Sequence, residues 1–200
     1  MLSKIKKIGS VLRKRIHFHR RKGFLRILPE GSVGVELGVF KGEFTDLILR
    51  NVKPSKLYLV DLWWEGFGEF YPDWGVYTNY GKLKTKEAFQ MANQRILKND
   101  AMDICEIYVG DDLLFLESLE NETLDWAYID SSHSYEHTQK ELILLDKKVK
   151  NKGVICGHDW REDSKHRHHG VYKAVNEYCV ERGWKVLLLD RYTQWAIVRA

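Results

Sequence analysis

Five acidic residues stand at or just past the ends of short apolar runs: Glu36, Asp61, Asp111, Asp130 and Asp159. Such runs read as buried strands. An open α/β sheet gathers the carboxyl ends of its strands at one crevice, and ligands bind there. One acid at a strand end means little, because loops are polar; five are harder to dismiss. Asp61 lies 25 residues after Glu36, where an acid can bind a ribose diol. Glu36, beside Gly38, is placed to meet a ligand's ammonium group. Asp130 and Asp159 end consecutive strands and can face each other across the mouth of the sheet. Two carboxylates there suit a hard cation, Mg²⁺ or Ca²⁺.

The elements that must position these acids follow from the apolar pattern. The run Val33–Leu37 ends in Gly38 and Gly42, a turn needing positive φ or very close backbone approach. A helical pattern starts at Glu43. Strands are expected over 56–61, 104–109, 124–130 and 153–157, with helices over 85–98, 135–149 and 171–182 and a short helix around 113–119. Two closing strands, 184–189 and 194–198, are separated by too few residues for a parallel return, so they must form an antiparallel hairpin. The expected fold is a Rossmann-like, doubly wound α/β sheet of seven strands, mostly parallel with one antiparallel C-terminal strand.

The stretch Glu36-Leu37-Gly38-Val39-Phe40-Lys41-Gly42 resembles the first motif, E-x-G-x-x-x-G, of the class I S-adenosylmethionine (SAM)-dependent methyltransferases. It lacks the third glycine of the dinucleotide fingerprint. The resemblance covers about residue 30 to the C-terminus. It implies a SAM site built from Glu36, Gly38, Gly42, Asp61, Asp111 and Asp130, with Asp61 at the ribose and Gly110-Asp111 beside the adenine. A narrower resemblance lies in Ile129-Asp130-Ser131-Ser132-His133-Ser134-Tyr135 and Gly153-Val154-Ile155-Cys156-Gly157-His158-Asp159. Both stretches are similar to the macrocin and catechol O-methyltransferase branch. That likeness implies Asp130 and Asp159 as ligands of a Mg²⁺ ion, and His133 as general base with Asp130 beside it.

This chemistry is coherent on its own terms. The sulfonium donor is already activated, so the protein must align a displacement and generate a nucleophile. A histidine can take a hydroxyl proton near neutrality, and a divalent ion lowers that hydroxyl's pKa. The sequence departs from the branch at two places. Trp160 follows Asp159 where catechol-type enzymes have an oxygen ligand, and His158 precedes it where macrocin-like enzymes have an acid. His158 is read as a structural or supporting residue. The expected reaction is methyl transfer to a hydroxyl of a small molecule or of a sugar or glycan. The alternatives are an N-methyltransferase, or a cofactor-binding protein without transferase activity docked to a membrane or assembly.

Residues 62–84 are too long and too aromatic for a plain connection. They hold Trp63, Trp64, Phe67, Phe70, Tyr71, Trp74, Tyr77 and Tyr80 among acids, and they read as a lid and acceptor wall. Trp63 and Trp64, with His158 and Trp160, are the expected acceptor contacts. The run 160–170, with three histidines and two arginines, reads as a mobile surface loop or a binder of an anionic acceptor.

The net charge of +4 is unevenly spread: residues 1–30 carry ten Lys or Arg and one acid, so the remaining 170 sum to −5. Residues 3–22 form a basic amphipathic pattern, suited to an anionic membrane surface, to the body itself or to a second subunit. The expected division is a basic helical segment at 1–28 and the methyltransferase domain at 29–200. Nucleic acid is disfavoured: base-reading motifs are absent from the basic segment, and Ile129-Asp130-Ser131-Ser132-His133 is not the type used on base amines. Three cysteines without paired spacing fit a reducing, cytoplasmic setting, peripheral to a membrane if the basic segment binds one. A homodimer is a further expectation.

Overall fold

The computed structural model describes residues 21–200. The basic amphipathic helix expected over 3–22 lies almost wholly outside them. Seven strands form one sheet: β1 (Val33–Leu37), β2 (Lys56–Asp61), β3 (Cys105–Val109), β4 (Leu124–Ile129), β5 (Val149–Gly157), β6 (Trp184–Leu189) and β7 (Trp195–Arg199). Their order is β3-β2-β1-β4-β5-β7-β6. Pairing is parallel from β3 through β5, and β7 runs antiparallel to both β5 and β6.

Alternation along each central strand sends neighbours to opposite faces. Leu57, Leu59, Trp126 and Tyr128 join Phe24, Phe44 and Ile48 on one face. Val60, Ala127 and Ile129 join Val35, Leu142, Leu145 and Val175 on the other. Both faces are covered, as a parallel sheet requires. The covering helices are α1 (Glu43–Asn51), α2 (Trp63–Phe67), α3 (Thr85–Lys98), α4 (Asp112–Ser118), α5 (Tyr135–Lys148) and α6 (His169–Arg182). Local chemistry sets their ends. The Asp111 carboxylate accepts from the amides of Leu113 and Leu114 and so caps α4. The Ser134 hydroxyl accepts from the His137 amide and caps α5. Gly183, at φ 69°, ends α6.

The stretch expected as a loop over 62–84 is more ordered than that. It contains α2, a 3₁₀ turn at Gly75–Thr78 and a bridge between Phe70 and Lys84. Packing extends into the segment ahead of residue 29: Arg21, Phe24, Leu25 and Leu28 are all buried.

Candidate active site

The strand order reverses between β1 and β4, so the connections leaving those two strands part and open a crevice at their carboxyl ends. Gly38 forms the β1 side. Its amide donates to the Val60 carbonyl at 2.9 Å, and its φ is 91°. A Cβ there would sit 2.2 Å from the Asp130 carbonyl oxygen. Only glycine lets the turn cross so close to the end of β4. The turn closes at Gly42, φ 72°, which starts α1.

Asp61 holds this turn from below. One carboxylate oxygen accepts from the Phe40 amide at 2.7 Å and the other from the Trp63 amide at 3.0 Å. Burial pushes its pKa up against those two bonds. Glu36 is only 1% exposed and accepts from the Thr45 hydroxyl at 2.6 Å. Burial pushes it up to about 8. It therefore lies beneath the turn, its neutral form favoured by burial, and not at the crevice surface where an ammonium group would meet it. Asp111 spends one oxygen capping α4.

Across the crevice, Asp130 and Asp159 converge on one imidazole. His133 Nε2 lies 3.2 Å from Asp130 Oδ1 and 3.0 Å from Asp159 Oδ2. His158 Nδ1 also approaches both, at 3.6 and 3.4 Å. His168 Nδ1 is 2.9 Å from Asp159 Oδ2, and its ring stacks on His133 with centroids 4.5 Å apart. On the other side, Arg21 Nη2 is 3.2 Å from Asp130 Oδ2 and also donates to the Tyr128 hydroxyl. Burial alone would raise both acids, but the cations around them prevail. His158, His133 and Arg21 hold Asp130 well below the usual carboxylate range, and His133, His158 and His168 do the same for Asp159. Burial disfavours the imidazolium of His133, yet its two acids outweigh that and raise it to about 10. His133 and Asp159 both adopt positive φ, 61° and 60°. Strained backbone of this kind persists where the surroundings enforce it, and it clusters at functional sites.

The sequence profile of a family described as "Methyltransferase domain" matches residues 35–160, well over half of the chain. The chain belongs to this methyltransferase family. The match begins in β1 and ends just past Asp159, so it spans both walls of the crevice. A SAM-dependent methyltransferase from Aquifex aeolicus has the same fold: TM-score 0.61, 18% identity, covering 98% of this chain and 95% of that one. So has the O-methyltransferase TomG of Streptomyces achromogenes, involved in tomaymycin synthesis and solved in complex with SAM: TM-score 0.59, 12% identity, covering 94% and 80%. Comparison with the curated proteins finds no match. Family and fold make this a class I SAM-dependent methyltransferase.

Within the methyltransferase, the other expected acceptor contacts divide. Trp63 is fully buried and donates from Nε1 to the Phe40 carbonyl at 2.9 Å. It braces the glycine turn and is no acceptor wall here. Trp64 packs edge-on against Phe89 and lines a cavity of about 420 Å³ with Gly68, Glu69, Lys84, Thr85 and Lys86. His158 points at the two acids, and its other nitrogen sits 3.4 Å from the Thr193 hydroxyl. Trp160 packs edge-on against Tyr172 and donates to Glu162.

Two functional candidates escaped the sequence reading. Arg21, on the charged side of the basic amphipathic pattern, is only 3% exposed; its position depends on Gln194, which lies 173 residues away in sequence. His168 lies in the run that reads as a mobile surface loop or a binder of an anionic acceptor. It reaches Asp159 because Gly170 lets the start of α6 press onto the loop after β4: a Cβ there would sit 2.6 Å from the Tyr135 amide. Neither contact has a local sequence signal beyond the unusual density of histidines over 166–169.

Proposed function

We propose that this chain transfers the methyl group of SAM to a hydroxyl of a small molecule or glycan, with His133 as general base. The observation that carries this reading is the convergence of Asp130 and Asp159 on His133 Nε2, facing the Gly38 turn across the crevice. The turn and Asp61 provide the donor side, and the sulfonium supplies an activated methyl group. The chain's own share is to orient the acceptor oxygen and to remove its proton. A cationic imidazole cannot accept a proton, so the acids around His133 must first be compensated.

The donor set fits a divalent cation in that role. One donor atom each from Asp130, His158 and Asp159 lies within 4.8 Å of the others, as for His133, Asp159 and His168. Mg²⁺ would be held by Asp130 and Asp159. The imidazoles shift the preference toward Mn²⁺ or Zn²⁺. A bound cation would polarise the acceptor hydroxyl and release His133 from its acids. A second, metal-free reading has Arg21 on Asp130 and leaves His133 to act as base only at alkaline pH. The aromatic segment over 63–80 supports a ring-bearing acceptor. Phe40 of the turn packs edge-on against Tyr71 and tilted against Trp74, so the segment lies over the donor turn.

Calorimetric titration with SAM tests the donor site, and turnover over a panel of hydroxyl and amine acceptors tests the reaction. No SAM binding would remove the whole reading. Binding without turnover on hydroxyls, but with turnover on amines, would turn it to N-methylation. A rate unaffected by EDTA would leave the metal-free version.

A further inference from the structure

A second group of ionisable side chains lies behind the loop that carries Asp130 and His133. Asp112 opens α4, while His137 and Glu141 stand one turn apart on α5. His137 Nε2 is 2.8 Å from Asp112 Oδ1 and 3.9 Å from Glu141 Oε1. One donor atom from each of the three lies within 4.8 Å of the others. Glu141 is 0% exposed. Its Oε1 accepts from the Ser131 hydroxyl at 2.5 Å, but its buried Oε2 has no hydrogen-bond partner.

A buried, unpartnered carboxylate oxygen is costly. Burial, and then the charge of Asp112, push Glu141 well above the usual carboxylate range. Two acids meeting out of water need either a shared proton or a cation between them. Here an imidazole completes the set. His and Glu at i and i+4 present their donors from one helix face, and His137 keeps 23% of its side chain exposed, leaving a way in.

We propose that Asp112, His137 and Glu141 form a structural Zn²⁺ site. One imidazole and two carboxylates suit Zn²⁺, which accepts mixed N and O donors in a four-coordinate shell completed by water. Mg²⁺ prefers oxygen alone and keeps several waters. The ion would tie the start of α4 to α5. Through Glu141 and Ser131, it would also brace the loop that holds Asp130 and His133. The site is independent of the methyl-transfer reading, and its test needs no activity.

Asp159 belongs to both donor groups of the crevice, so Asp159→Asn isolates the new site. The EDTA-treated variant is titrated with Co²⁺, read by its visible bands, and then with Zn²⁺ in competition. One ion per chain is expected. Adding His137→Ala or Glu141→Gln should weaken Zn²⁺ by at least about 10- to 100-fold, the loss seen even for supporting partners, with circular dichroism showing a folded chain. No binding by folded Asp159→Asn, or affinity unchanged by both added substitutions, overturns the site. If Asp159→Asn does not fold, the same titration of the wild-type chain against His137→Ala decides it. A loss of one ion per chain supports the site, and equal stoichiometry overturns it.

Discussion

His133 sits between two carboxylates, and that placement sets both its proton and its use. Even with Arg21 on Asp130, the two acids raise its pKa to about 10 and keep it cationic at neutrality. The rate should therefore rise with pH toward that value when cations are removed. The rise should move to lower pH when Mg²⁺ or Mn²⁺ is added; a pH–rate profile with and without metal checks this. His133→Ala should lower kcat by roughly 10²- to 10⁴-fold, the usual worth of a positioned base, while the Kd for SAM stays nearly constant. Asp61→Ala should do the reverse, since Asp61 ties the Phe40 amide of the donor turn to the Trp63 amide at the start of α2. Weakened SAM binding in His133→Ala would place that residue on the donor side instead. Glu36 makes a separate prediction about stability. Its folded pKa, about 8, lies above the ordinary carboxylate value of 4.5, so the native state binds more protons between those values. Its contribution to stability is complete below about 4.5 and is lost as pH rises through about 8. Urea melts at pH 5 and 8.5 should show a larger loss in the wild type than in Glu36→Gln.

The glycine turn and the loop after β4 work as one unit, because Gly38 lies against the backbone of Asp130. Gly38→Ala combines a positive φ with a clash against backbone, which cannot swing away as a side chain can. It should cost about 1–3 kcal/mol of stability, the range for overpacked sites, and abolish SAM binding. Chemical denaturation and calorimetry would measure both, and near-wild-type values would show that the turn can widen. At this scale much was legible in the sequence. The central strands β1, β2 and β4 follow the apolar pattern because a strand buried on both faces reads as an uninterrupted apolar run, and α1, α3, α5 and α6 follow the helical one. The edges shifted where pairing, and not composition, decides: β5 starts at Val149 because that residue pairs with Leu124, although its polar residues Lys150–Lys152 read as a connection.

Over the whole molecule, the first described residue and the segment just before β7 meet beside the crevice. Arg21 bonds Gln194, just before β7, and Gln194 in turn bonds Asp190. Phe24, Leu25 and Leu28 complete the core on that side, at 5% exposure or less. A chain starting at residue 29 would lose all three. At about 1.5–3 kcal/mol each, that approaches the whole stability of an ordinary domain. Such a truncation should be insoluble or melt far below the full chain in a thermal scan. An unchanged melting temperature would place the boundary at 29. Among the described residues, no helix is long and apolar enough to cross a membrane.

The sequence by itself determined the alternating α/β order, the closing hairpin, the glycine turn and the acids at the strand ends. Those features are local or periodic, and short windows carry them. Only the tertiary structure decided what each acid does. It put Glu36 under the turn and tied Asp61 to the turn's amides. It drew Asp130 and Asp159 onto one histidine, and it brought Arg21 and His168 in from distant segments. Burial and pairing fix the charge of an acid, and both depend on residues far away in the chain, which no spacing rule can supply.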